Sequence, residues 1–146
     1  MKSTALVLIL MLTFTLKAAA ECEKGDCTDG EGTYVWSDGA QYSGQWRGDR
    51  QDGTGTMIWP NGDKYEGEWR EGKRHGRGRY IKKDGGRYEG HWENGLPHGF
   101  GTMIWPNGSR YTGQWRNGMK HGEGSYISRY GYTLKGSWNR DRYLEQ

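Results

Sequence analysis

The chain keeps one interval almost from end to end, and that interval limits its fold more than any other feature. YSGQW, YEGEW, YEGHW, YTGQW and LKGSW begin at Tyr42, Tyr65, Tyr88, Tyr111 and Leu134, each 23 residues after the last. A second signature keeps the same step. DGTG, HGRG, HGFG and HGEG place their first glycines at Gly53, Gly76, Gly99 and Gly122. A fixed period of this length implies stacked supersecondary units, each burying its apolar face against its neighbours.

Within one unit the side chains alternate. In Tyr65-Glu66-Gly67-Glu68-Trp69-Arg70, tyrosine, glycine and tryptophan fall on one side and charges on the other. Period-two alternation with aromatic residues is a strand signal. The stretch from Glu71 to His75 reads as a turn cluster, and Gly76 to Ile81 alternates again as a return strand. Asp84-Gly85 then turns the chain into the next tyrosine, as do Asp38-Gly39, Asn61-Gly62 and Asn107-Gly108. Asn-Gly and Asp-Gly suit the type I′ hairpin turn, whose two central residues need positive φ. The expected fold is all-β: an elongated single-layer antiparallel meander of hairpin repeats, about ten strands in all, twisted and curved.

Tyr-x-Gly-x-Trp, then Asn-Gly or Glu-Gly, then His-Gly-x-Gly, then Asp-Gly or Asn-Gly resembles the MORN repeat, from about Asp29 onward. The resemblance implies a repeat module rather than an activity. MORN arrays accompany lipid kinases, a protein methyltransferase and membrane-junction proteins, and also stand alone in exported bacterial proteins. The expected organisation is a signal peptide at 1–20, an N-terminal cap with a degenerate partial repeat at 21–41, and four full repeats. These occupy 42–64, 65–87, 88–110 and 111–133, and a partial repeat with a C-terminal cap fills 134–146.

The leader rests on Lys2, a mostly apolar run from Ala5 to Leu16, and Ala18-Ala19-Ala20 before Glu21. That is the pattern of a secretory signal, too short to span a bilayer as a helix. It predicts an exported chain, periplasmic, in the cell envelope or secreted. Losing Lys2 and Lys17 with the leader lowers the net charge from +3 to +1, so the basic balance is no argument for nucleic acid. The only cysteines, Cys22 and Cys27, lie just past the expected cleavage site, where an oxidising compartment favours a disulfide.

The chain has 26 glycines, 8 tryptophans and 10 tyrosines but only 32% hydrophobic residues, so aromatics must replace an aliphatic core. One face is expected to carry Tyr42, Trp46, Tyr65, Trp69, Tyr88, Trp92, Tyr111 and Trp115, each ring lying across a glycine of an adjacent strand. These eight are the candidate binding residues of an aromatic face. Met57, Tyr80, Met103 and Tyr126 join them from the return strands.

Catalytic chemistry has little support. His75, His98 and His121 share one repeat position and read as turn residues. Equivalent positions lie ~9.6 Å apart across two strands, whereas zinc needs nitrogens at ~2 Å. No catalytic, cofactor-binding or metal-binding residues are assigned. The first functional reading is a non-catalytic binding or scaffold module, docking a protein partner or a second copy through the aromatic face or a sheet edge. The second is an anionic membrane surface bound by Lys73, Arg74, Arg77, Arg79, Lys82, Lys83 and Arg87. The third is glycan binding in the cell envelope by the aromatic rings.

Overall fold

The computed structural model describes residues 20–145; apart from Ala20, the expected leader lies outside them. The described residues form twelve strands. These are β1 (Glu21–Gly25), β2 (Gly30–Val35), β3 (Gln41–Arg47), β4 (Arg50–Ile58), β5 (Lys64–Arg70) and β6 (Lys73–Ile81). They continue as β7 (Arg87–Glu93), β8 (Leu96–Ile104), β9 (Arg110–Arg116), β10 (Met119–Ile127), β11 (Thr133–Asn139) and β12 (Arg142–Tyr143). Each strand pairs with the next in one antiparallel sheet, in sequence order throughout. The fold is therefore the expected open meander, with two strands per repeat.

The two turns of each repeat are the reverse of the sequence expectation. The two-residue type I′ turns are Gly48-Asp49, Glu71-Gly72, Asn94-Gly95 and Asn117-Gly118, where both residues have positive φ. The stretch Lys73-Arg74-His75 is already strand, so the repeat histidines lie in β6, β8 and β10 rather than in turns. The Asp-Gly and Asn-Gly sites form three-residue loops instead, closed by bonds such as Trp59 N–H to Asp63 O (2.9 Å) and Gly62 N–H to Trp59 O (2.9 Å). Only the glycine there has positive φ. The side chain explains the switch: the Asn61 Oδ1 accepts the Asp63 N–H at 2.9 Å, and Asp38, Asp84 and Asn107 do the same two residues on. That local bond holds Asx at negative φ, with glycine alone in the left-handed region.

Return strands are nine residues long and outgoing strands seven, and a bulge in each hairpin absorbs the difference. The first glycine of HGxG sits in that bulge, with φ near +52° at Gly76. A bulge leaves a backbone carbonyl outside the ladder, and a tyrosine hydroxyl satisfies it. Tyr42, Tyr65, Tyr88 and Tyr111 donate to Gln45, Glu68, His91 and Gln114 carbonyls at 3.0–3.1 Å. The repeat thus couples a residue type to a defect three positions away.

The core is a row of rings over a row of glycines. Gly32, Gly44, Gly55, Gly67, Gly78, Gly90, Gly101, Gly113, Gly124 and Gly136 are directly paired in that order across the sheet. A Cβ at Gly78 would collide with the Tyr65 ring, and the same holds for Tyr42 over Gly55, Tyr88 over Gly101 and Tyr111 over Gly124. Each tyrosine meets two tryptophans edge-to-face, as Tyr65 does with Trp69 at 5.1 Å and Trp92 at 5.3 Å. Such pairs add ~0.5–1.5 kcal/mol each beyond area burial. Every tryptophan of this row donates its indole N–H to a glycine carbonyl of the preceding unit, from Trp46 to Gly32 through Trp138 to Gly124.

Candidate functional site

The eight rings expected to form a binding face are interior. The four repeat tyrosines are 0–1% exposed and their tryptophan partners 5–8%. Trp59, Tyr80, Trp105 and Tyr126 pack against them from the longer turns and return strands. Stacked rings supply the layer that a single sheet lacks, and these eight leave no open ring face for a partner. Burial pushes the tyrosine hydroxyls to higher pKa, that of Tyr111 to about 12.

The seven basic candidates do not make one plane. Arg74 is drawn into the core, 4.4 Å from the Trp92 ring centre and 5.2 Å from that of Tyr80. Arg79 pairs with Glu66 at 2.9 Å and Lys82 with Asp84 at 3.1 Å. Lys83 covers the Gly62 turn, and its N–H donates to Asp63 at 3.0 Å. Asp63 is a buried carboxylate missed in the sequence reading. It accepts the Tyr80 hydroxyl, which more than any other contact holds its carboxyl below the usual range. Lys73 is exposed at the start of β6, while Arg77 and Arg87 face away from the rings.

The opposite face has the more informative geometry. Two polar rows flank the glycine row there. One runs Glu68, Arg77, His91 and its neighbour Phe100, then Gln114; the other runs Glu66, Arg79, Glu89, Thr102 and Thr112. Between them lies a trough. One stretch, of about 560 Å³, spans β1 to β5 and is lined by Thr33, Ser43, Thr54 and Thr56 with Gly44 and Gly55. The next, of about 840 Å³, spans β5 to β8 and is lined by Arg77, Arg79, Glu89, His91, Phe100 and Thr102 with Gly78, Gly90 and Gly101. Its floor is the backbone of the glycine row, whose missing side chains would have pointed to the ring face.

Phe100 stands in this trough 59% exposed. The variable position of HGxG holds Thr54, Arg77, Phe100 and Glu123 in successive repeats, and only one of these is apolar. Its cross-strand neighbour departs as well. Gln45, Glu68 and Gln114 each accept the bulge N–H of Thr54, Arg77 and Glu123 at 2.7–3.0 Å. In the third repeat His91 replaces that acceptor.

Cys22 and Cys27 are disulfide-bonded, and the half-buried Cys27 packs against the end of the ring row. No cluster of metal-ligating side chains occurs among the described residues. No curated protein matches the chain. The family profile described as MORN repeat matches residues 28–41, 42–64, 65–87, 88–110 and 111–129, which together cover more than half of the sequence. The ring-over-glycine hairpins are the structural content of that match, and the chain belongs to the MORN repeat family, whose repeats are generally non-catalytic binding modules.

Proposed function

We propose that this chain is a docking module that holds a protein partner on the face opposite its rings, centred on Phe100. One observation carries the reading. A large apolar side chain stands 59% exposed in a trough of about 840 Å³, in the one repeat where the bulge acceptor has been given up. Phe100 contributes nothing to the ring row, and an exposed phenyl group among Arg77, His91 and Glu89 has the composition of an interface anchor with a polar rim. The aromatic face is not part of this reading, because its rings are already covered.

The leader-like residues 1–20 and the Cys22–Cys27 bridge support an extracytoplasmic setting for that partner. Membrane and glycan binding through the residues first considered have less support. Arg74, Arg79 and Lys82 are occupied within the protein, and the candidate tryptophans are buried.

A photo-crosslinking residue at position 100, with controls at Glu31 and Ser137 on the same face, tests this reading in the native cells. The expected result is one specific adduct from position 100, competed by excess unmodified protein and lost when Arg77→Glu is added. Equal adducts from all three positions, or none from position 100, would refute the docking reading.

A further inference from the structure

The same face carries a third row, nearest the three-residue turns, in which apolar and basic side chains alternate. Ile58, Lys64, Ile81, Arg87, Ile104 and Arg110 are directly paired in that order from β4 to β9. The basic member is the residue just before Tyr65, Tyr88 and Tyr111. Ile58 is 41% exposed, Ile81 and Ile104 are half-buried, and Arg87 and Arg110 are exposed. Lys64 is shared with Glu66 at 2.5 Å. Among the described residues, neither Arg87 nor Arg110 has a carboxylate partner. The outer copies of this position are Gln41 and Thr133, so the cations occupy only the three inner units.

The spacing of this row selects among ligand shapes. One cation recurs every two strands, ~9.6 Å. A polyproline II chain advances ~3.1 Å per residue with three residues per turn, so every third side chain recurs at ~9.3 Å. A β-strand brings side chains back to one face every ~6.7 Å, and a helix offers ~10.5 Å at every seventh residue. Over two intervals the polyproline II chain accumulates ~0.6 Å of mismatch and the helix ~1.8 Å.

We propose that this row is a docking strip for an extended polyproline II segment of a protein partner, acidic at every third residue, laid along the array across the strands. Two of its carboxylates meet Arg87 and Arg110 by paired N–H bonds to both oxygens, and a third shares Lys64 with Glu66, which keeps its pairing to Arg79 at 2.9 Å. Its intervening residues cover Ile81 and Ile104. A flat anionic bilayer fits less well. Glu66 and Glu89 stand two residues along the strands from Lys64 and Arg87, on the same face, and would be pressed against headgroups of like charge. A narrow chain on the strip passes beside them.

The strip rests on the docking reading of this face but not on Phe100, which is four residues along β8 from Ile104. The test uses the full chain and a fluorescein-labelled peptide of Glu-Pro-Pro triplets, read by anisotropy. Saturable binding is expected, with affinity falling about tenfold or more in Arg87→Ala/Arg110→Ala and with rising salt, and unchanged in Phe100→Ala. A peptide of equal charge with glutamate at every second residue should bind about tenfold more weakly. A thermal melt of each variant confirms that it remains folded. Equal binding of both peptides, or of the double variant, would overturn the strip, because charge without register would then explain the result. So would no peptide binding, or co-sedimentation with phosphatidylserine vesicles that the double variant abolishes while the peptide fails to bind. Loss of the crosslink at position 100 with peptide binding intact would remove the Phe100 site and leave the strip standing.

Discussion

The Arg74 guanidinium lies 4.4 Å from the centre of the Trp92 ring, and its Nη2 donates to the Gly95 carbonyl at 2.7 Å. One side chain therefore covers the ring row and ties two hairpins together. Lys120 takes the same place two repeats later, 4.5 Å from the Trp138 ring centre. The alternate units put Gln51 and Pro97 at that position, so the row is roofed by a cation in every second repeat. Trp59 and Trp105 pack on Tyr80 and Tyr126 of the next unit, the two units that carry Arg74 and Lys120.

Replacing Arg74 by alanine should therefore cost stability. A desolvated cation–π contact contributes up to ~2 kcal/mol, and the alkyl stem adds packing area. Arg74→Ala is expected to lower stability by ~2 kcal/mol, and Arg74→Lys by less, since lysine serves at position 120. Urea denaturation followed by tryptophan fluorescence measures both. An Arg74→Ala chain as stable as the parent would mean that the stacking geometry contributes little.

Gly78 and Tyr65 should be coupled far more strongly than their separation in sequence suggests. A methyl group at position 78 meets the Tyr65 ring and hydroxyl, and overpacking of this kind costs ~1–3 kcal/mol. Tyr65→Leu leaves room for it, although that change alone forfeits the bond to the Glu68 carbonyl and two edge-to-face contacts. The double variant should be less destabilised than the two single losses summed, by ~1 kcal/mol or more. Strict additivity would show that the ring does not rest on that glycine.

Much of this core could be read directly from the sequence. Alternation alone set Tyr65, Gly67 and Trp69 on one side, and the absence of Cβ at Gly78 was the reason to place a ring there. What could not be read was whether the rings faced water. Burial of Tyr65 depends on Trp92, which belongs to the next unit, and on Arg74 of its own unit, a cation that the alternation gives no reason to fold over the rings. The turns were misassigned because Asn-Gly satisfies two geometries. The Asn61 side-chain bond to the Asp63 N–H decides between them, and dipeptide preference does not register it. Phe100 carries no periodic signal, since it holds the one position at which the HGxG copies differ from one another.

The disulfide should act on one end only. Closing a loop as short as Cys22–Cys27 constrains the unfolded chain by ~2 kcal/mol in the entropic account. In a linear array each unit contacts only its neighbours, so the loss stays local. Reduction, or Cys22→Ser/Cys27→Ser, is expected to speed amide exchange in β1 and β2 while leaving β6 to β9 unchanged. Uniform acceleration along the chain would indicate that the array unfolds as one cooperative block from that end.

Alkali should unfold the protein through its tyrosine row. The hydroxyls of Tyr42, Tyr65, Tyr88 and Tyr111 are raised in the folded chain chiefly because burial disfavours the phenolate, and that of Tyr80 is raised to about 12 by burial and by the Asp63 carboxylate. An unfolded tyrosine ionises near pH 10. Above that value the unfolded chain releases protons that the folded chain retains, so the unfolded state binds fewer and stability falls as pH rises. Below pH 10 both states are neutral at these groups and the rows impose no penalty. Thermal midpoints should therefore be flat with respect to these groups near neutral pH and drop steeply from about pH 10 upward. Tyrosinate absorbance from the row should grow together with the loss of near-ultraviolet circular dichroism, because the hydroxyls reach solvent only on opening. Tyr111→Phe should soften the slope of the decline while costing ~1 kcal/mol at neutral pH for the lost bond to Gln114. Tyrosinate formation that runs to completion with the dichroism intact would place these rings at the surface and remove the interior row.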